Sequence, residues 1–218
     1  MCGIVGYVGT KNIPGRAHFA LDVVLEGLRR LEYRGYDSAG VAVLDEGKIS
    51  FRKKAGKVAA LDEVIAADPL PQAVVGIGHT RWATHGGPTD ANAHPHVVDG
   101  GKLAVVHNGI IENFAELKTE LAEKGYTFKS ETDTEVAATL LSDFMHGAGE
   151  GDLTESMRLT CNRLEGAFTL LALHTDFPDR IVAARRNSPL VIGLGEGENF
   201  LGSDVSGFID YTKNAVEM

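Results

Sequence analysis

Cysteine is scarce in this chain: two occur among 218 residues, Cys2 and Cys161. A single pair makes no disulfide framework of the kind that staples small secreted domains, which fits a reducing cytoplasm. No run of about 18 apolar residues occurs, so no membrane-spanning helix is expected. The N-terminus has no charged segment followed by a long apolar one, so no secretory signal is expected. Basic residues are outnumbered, 21 Lys+Arg against 30 Asp+Glu, for a formal charge of -9. An acidic chain does not attract phosphate backbones or anionic lipid, which argues against nucleic acid and membranes as partners. Repeats and low-complexity blocks are absent too, so solenoids and disordered tails are not expected. What remains is ordinary for a soluble globular protein: 44% hydrophobic and 23% charged. The length suffices for one domain with a sizeable core, or two small ones at most.

Along the chain, Gly3–Val8 reads as a buried strand at the extreme N-terminus. Leu21, Val24, Leu25, Leu28 and Leu31 recur at helical spacing and predict an amphipathic helix over 17–31. Strands are expected at 40–44, 49–53 and 74–78, with a helix through Val58, Leu61, Val64 and Ile65 before the last. Residues 79–101 carry Gly, Pro, His and Asn without periodicity and predict a long loop, which in a compact domain is usually functional or disordered. A strand over 103–107 runs into Asn108-Gly109, a turn signal. Helices follow through Phe114–Leu121, from Thr132-Asp133-Thr134-Glu135 with its capping-box spacing, and through Leu153–Leu164. Strands are predicted at 167–174, 181–185 and 190–194, and the last residues, 211–218, look polar and unfinished. The strands do not alternate regularly with helices, so the pattern favours layered α+β over a doubly wound parallel sheet.

Cys2 is the first candidate for chemistry. A small residue at position two normally lets the initiator methionine be removed, leaving the thiol beside a free α-amine of reference pKa about 7.7–8.0. That amine is a general base near neutral pH and the thiolate is the strongest side-chain nucleophile, so one residue holds both roles. Against this stands a small buried hydrophobe, the reading that suits Cys161 on an apolar helix face between Met157 and Leu164. His79–Gly87 crowds a guanidinium (Arg81), an indole (Trp82), hydroxyls and glycines into nine residues; the planar Arg fork suits a carboxylate, and a solvated loop is the plain alternative. Five of eight histidines, His79, His85, His94, His96 and His107, lie between 79 and 107 and raise a metal site, but their spacing matches no familiar zinc pattern. An Asn108 amide and the next backbone N–H could hold an oxyanion, although a plain Asn-Gly turn suffices. Asp133 suits a helix N-terminus on electrostatic grounds alone.

Taken together, Cys2–Gly6, Tyr33–Gly40, the Arg81-Trp82 loop, Asn92–His96, His107–Asn113 and Thr132–Glu135 resemble the class II glutamine amidotransferases. The likeness is nearest to the N-terminal glutaminase domains of the glucosamine-6-phosphate synthases, and the motifs run in order over most of the chain. The resemblance implies the N-terminal-nucleophile hydrolase fold: a four-layer αββα sandwich of two antiparallel sheets. It implies Cys2 as nucleophile and Asn108 with Gly109 as the oxyanion hole. Arg81, with Thr84 and His85, would take the glutamine α-carboxylate. Asp133, with the Gly109 carbonyl, would take the α-amine, and Trp82 would cover the site. Neither a metal nor an organic cofactor is needed.

By the same resemblance, residues 1–218 are one glutaminase domain cut from the N-terminal part of a longer synthase. The sugar-isomerase domain that would use the ammonia on fructose-6-phosphate is missing, and the full-length enzyme is expected to be a cytoplasmic homo-oligomer. Three rivals remain: another class II amidotransferase, a metal-dependent hydrolase using the histidines from His79 to His107, and a non-catalytic module in which Cys2 is structural. The Tyr36-Asp37 pair and Trp82 look more like the sugar enzyme than the purine one.

Overall fold

The computed structural model describes residues 2–10 and 19–218. Eleven strands of the described residues form two antiparallel sheets. The larger has the order β11-β9-β10-β1-β4-β2-β3, with β1 Gly3–Val8, β2 Ser38–Asp45, β3 Lys48–Ala55, β4 Val75–Arg81, β9 Val191–Leu194, β10 Asn199–Gly202 and β11 Ala215–Glu217. The smaller has the order β5-β6-β7-β8, with β5 His96–Val98, β6 Leu103–Ile111, β7 Gly166–His174 and β8 Val182–Arg186. The helices are α1 Ala20–Leu31, α2 Val58–Ala67, α3 Phe114–Glu123, α4 Asp133–His146 and α5 Leu153–Arg163.

Strand side chains alternate faces, and here both faces are covered, so the central strands read as continuous apolar runs. In β2, Val41 and Val43 point outward into a cluster with Val24 and Leu28 of α1 and Leu61 of α2, while Ala42 and Leu44 point inward. In β6, Leu103 and Val105 meet Leu140 of α4 and Met157 of α5, while Ala104 and Val106 point inward. The inward residues of the two sheets, with Ile4, Ile77, Leu171 and Leu173, form the middle layer of the core. The result is the four-layer αββα sandwich that the family resemblance implied, and Cys161 packs against the outer cluster as expected for a core thiol.

Local expectations changed at five places. Residues 17 and 18 of the expected first helix lie outside the described residues, and the described helix starts at Ala20. The 79–101 segment is not all loop: β4 continues through His79, Thr80 and Arg81, because those residues pair with Gly40, Ala39 and Ser38 of β2. Asn108-Gly109 is not a turn. β6 runs on to Ile111 with Asn108 opposite Thr169 and Gly109 opposite Phe168, so cross-strand pairing overrides the local turn preference. The polar C-terminal stretch supplies β11, which pairs with β9. At α4, Thr132 caps as expected by accepting from the Glu135 N–H at 3.3 Å, but the Glu135 carboxylate accepts from the Lys129 and Ser130 N–H groups rather than from Thr132.

Helix α1 sits so close to β4 that a Cβ on Gly78 would collide with Val24 Cγ1 and stand 2.9 Å from Leu28 Cδ1. Gly78→Ala should therefore destabilise the fold by about 1–3 kcal/mol through overpacking. For a chain of this size that is a fall in Tm of roughly 2–12 °C. Thermal unfolding of the variant checks this, and an unchanged Tm would mean that α1 does not rest on that glycine.

Candidate active site

Strand β1 lies between β10 and β4, hydrogen-bonded on both edges, and Cys2 immediately precedes it. The opposing end of β4 carries Arg81 and leads into Trp82. The Cys2 Sγ accepts from the Trp82 backbone N–H at 3.2 Å and lies 3.6 Å from the Trp82 carbonyl. Burial is the main influence on this thiol and raises its pKa above the ordinary thiol value, partly offset by the Trp82 N–H. The Cys2 carbonyl accepts from Asn108 Nδ2 at 3.0 Å and from Arg34 Nε at 3.3 Å. Asn108 belongs to β6 of the other sheet, so this contact ties the two sheets together at the thiol.

Two hollows meet at Cys2, Trp82, Thr84 and Gly109. The larger, about 330 Å³, extends past Asn108, Ile110 and Ser188. The smaller, about 20 Å³, reaches Arg81 and Asp133 and has room for about one water. A free amino acid enters there only if the surrounding 82–87 segment moves. Gly109 is held at φ 120°, and a Cβ there would collide with the Ala167 carbonyl, so only glycine lets β6 pair this closely with β7 at that point.

The predicted site residues come together, with differences in detail. Arg81 is buried, and its guanidinium donates to the carbonyls of His85, Gly86 (3.3 Å) and Gly87 (3.2 Å), folding the following segment around itself. Asp133 accepts from the Ile111 N–H at 2.9 Å and stands 3.9 Å from both His85 Nδ1 and His107 Nδ1. Thr84 lines both hollows, while His85 meets Phe114 edge-on with ring centroids 4.8 Å apart. Trp82 is about half exposed (49%) and meets Tyr36 edge-on at 5.3 Å.

Three participants were not assigned from sequence. Arg34 holds the Cys2 carbonyl, and Asp37 accepts from the Ala83 N–H and from Ser38 Oγ, anchoring the segment after Trp82. Both lie in the Tyr33–Gly40 run, and its place among the motifs shared with the resembled family was the available signal. His79 had been read only as part of a metal cluster, yet its Nε2 is 3.0 Å from Asn108 Oδ1. Two other histidines are engaged likewise, His107 with Thr134 and His96 with Thr132, each at 2.9 Å, whereas His94 Nδ1 and His85 Nδ1 have no hydrogen-bond partner. Among the described residues, no group of three or more His, Cys, Asp or Glu side chains is arranged to hold a metal ion. None of the described helices is long and apolar enough to cross a membrane.

Two sheets back to back, helices outside and a cysteine at the head of the central strand define the N-terminal-nucleophile class of amidotransferase fold. The glutamine phosphoribosylpyrophosphate amidotransferase of B. subtilis has this architecture and matches all of this chain and 44% of its own, with a TM-score of 0.81 and 25% identity. A family model described as a glutamine amidotransferase domain matches residues 79–210, and the chain belongs to that family. Among curated relatives, the isomerizing glutamine–fructose-6-phosphate aminotransferase of Corynebacterium diphtheriae is 77% identical over all of this chain and 35% of its own length. Those of Streptomyces coelicolor and Mycobacterium tuberculosis are 63% and 52% identical, each matching all of this chain and 34% of the relative. The chain thus spans about a third of the length of the curated relatives it matches.

Burial gives the site a pH dependence of stability. It holds the pKa of His94, His96 and His107 below the ordinary imidazole value, and that of His79 down to about 3; charge on neighbouring histidines lowers all four further, while Asp133 partly opposes the shift at His107. The folded values lie below the unfolded value near 6.5, so the unfolded chain binds more protons below that pH. Stability from these groups is complete above about pH 6.5 and is lost as pH falls toward the folded values, by up to about 1.4 kcal/mol per pH unit for each. Urea unfolding should therefore show a plateau above pH 7 and a steep loss between pH 6.5 and 5. Equal midpoints at pH 7.5 and 5.5 would contradict neutral burial.

Proposed function

We propose that this chain is the glutamine-hydrolysing domain of an isomerizing glutamine–fructose-6-phosphate aminotransferase. The observation that carries the reading is the placement of the Cys2 thiol at the junction of two hollows, beside the Asn108 amide and Gly109, with Arg81 and Asp133 at the far end of the smaller one. In this reading Arg81 takes the α-carboxylate of L-glutamine with Thr84 and His85, and Asp133 takes the α-ammonium. The segment that Arg81 now gathers around itself opens to admit the substrate.

The chemistry then runs in balanced steps. The Cys2 α-amine, free once Met1 is removed, takes the thiol proton, and Sγ bonds to the side-chain amide carbon. The carbonyl π pair moves to oxygen, where the Asn108 amide and the Gly109 N–H meet the charge. When the intermediate collapses, the C–N bond breaks, and the α-ammonium returns its proton to the departing nitrogen, releasing ammonia. Water, deprotonated by the same amine, attacks the γ-glutamyl thioester and yields glutamate and the free thiol.

Residues 1–218 form one catalytic domain in this reading. The ammonia serves a sugar-isomerase domain in the remainder of the protein, which converts fructose-6-phosphate to glucosamine-6-phosphate in a cytoplasmic homo-oligomer. The relatives' printed names and their identity over the whole of this chain support that assignment.

The chain alone should release glutamate and ammonia from glutamine and form no glucosamine-6-phosphate, and Cys2→Ala should abolish the release. A fixed N-terminal extension should abolish it as well, with the thiol intact; turnover by protein shown by mass spectrometry to retain Met1 would exclude the amine as base. Activity should survive exhaustive chelation, whereas stoichiometric metal whose removal stops turnover would favour the hydrolase reading.

Arg81→Ala and Asp133→Ala should each raise KM for glutamine by about tenfold to a hundredfold, since a hydrogen bond to a charged group is worth about 1.5–3 kcal/mol. Asn108→Ala should act on kcat, by about a hundredfold or more. Steady-state kinetics on variants with unchanged circular dichroism separates these effects; an unaltered KM removes that residue from the substrate pocket.

A further inference from the structure

The Asn108 side chain is nearly symmetric in shape, and a half-turn of its amide exchanges donor for acceptor. Only one orientation presents N–H groups to the thiol, so something has to hold it. On one side, Nδ2 stands 3.0 Å from the Cys2 carbonyl, which can only accept. On the other, Oδ1 stands 3.0 Å from His79 Nε2, which can donate or accept according to its tautomer. A hydrogen on Nε2 makes both contacts favourable. Moved to Nδ1, it would leave a lone pair facing Oδ1 and favour the flipped amide, which then sets its oxygen against the Cys2 carbonyl.

We propose that His79 is a positioning residue: as the neutral Nε2–H tautomer it donates to Asn108 Oδ1 and locks that amide with its N–H groups toward Cys2 and the hollow. Three observations support this. His79 is fully buried with the His107 backbone close to its ring, yet its Nδ1 makes no hydrogen bond of acceptable distance and angle, so a hydrogen there would be an unpaired buried donor. The ring lies against His94 with centroids 4.1 Å apart, which limits rotation of its plane. Burial also keeps the ring from taking a second proton near neutral pH. His79 does not line either hollow, so it acts through Asn108 rather than on the substrate.

The role in turnover rests on the glutaminase reading; the tautomer does not. In wild type, a long-range proton–nitrogen correlation spectrum should place the His79 hydrogen on Nε2 across pH 5.5–8. His79→Met removes the donor and should lower kcat for glutamine on the order of 10–100-fold, with KM changed less than about threefold. Glutamate γ-semialdehyde, whose hemithioacetal with Cys2 puts an oxygen where the oxyanion forms, should lose affinity in parallel, while glutamate should not. His79→Gln, which restores an N–H at that reach, should keep kcat within about fivefold of wild type. A hydrogen on Nδ1, a wild-type kcat in His79→Met, or equal losses in both variants overturns the proposal. If His79→Met does not fold, the wild-type spectrum and the His79→Gln kinetics decide it. A wild-type chain without glutaminase activity would fail the functional reading, and the spectrum would still test the tautomer.

Discussion

One amide, that of Asn108, is hydrogen-bonded across the gap between the two sheets, to the Cys2 carbonyl and to His79. Much else in the molecule is arranged to make those bonds possible. Cys2 has a fixed place because β1 is paired on both edges, by β4 and by a strand almost two hundred residues later, β10. Asn108 has a fixed place because β6 runs straight through what would locally be a turn, held opposite Thr169. The middle layer of apolar side chains packs between the sheets and sets the distance across which those polar contacts are made. In such surroundings a satisfied hydrogen bond specifies geometry strongly, and an unsatisfied one is costly.

The buried histidines follow from the same arrangement. His79, His94, His96 and His107 fill the space beneath the site with neutral rings that pack like aromatics and offer hydrogen bonds to Asn108, Thr132 and Thr134. Keeping them uncharged costs stability in acid, where the unfolded chain takes up protons that the folded chain refuses. In return the site has a rigid polar floor. Its roof is different: Trp82 is exposed, and the segment after it is held by Arg81 and Asp37 through backbone contacts.

Much of this was legible beforehand, for reasons that differ from place to place. Helices such as α4 and α5 announce themselves by apolar spacing, and α4 also by its Thr132 cap, which are local interactions. The candidate residues Cys2, Arg81, Asn108 and Asp133 were identified because their motifs match a family in order, not because their spacing spells out a reaction. Arg34, Asp37 and His79 carried no local signal for their contacts, since each acts on a partner well removed along the chain. The short strands β10 and β11 were missed because a strand of three or four residues gains its stability from neighbours rather than from its own pattern.

By itself the sequence determined the layered α+β class, the apolar faces that had to be covered, and the residue types available for chemistry. These follow from side-chain spacing and turn propensity, which act over a few residues. Only the tertiary structure decided that Asn108-Gly109 lies within a strand, that His79, His107 and His96 meet Asn108, Thr134 and Thr132, and that Cys2 meets Trp82 and Asn108. The physical reason is that each outcome depends on pairing between distant strands. Cross-strand hydrogen bonds and the burial of a shared core outweigh a turn preference of about 1 kcal/mol or less.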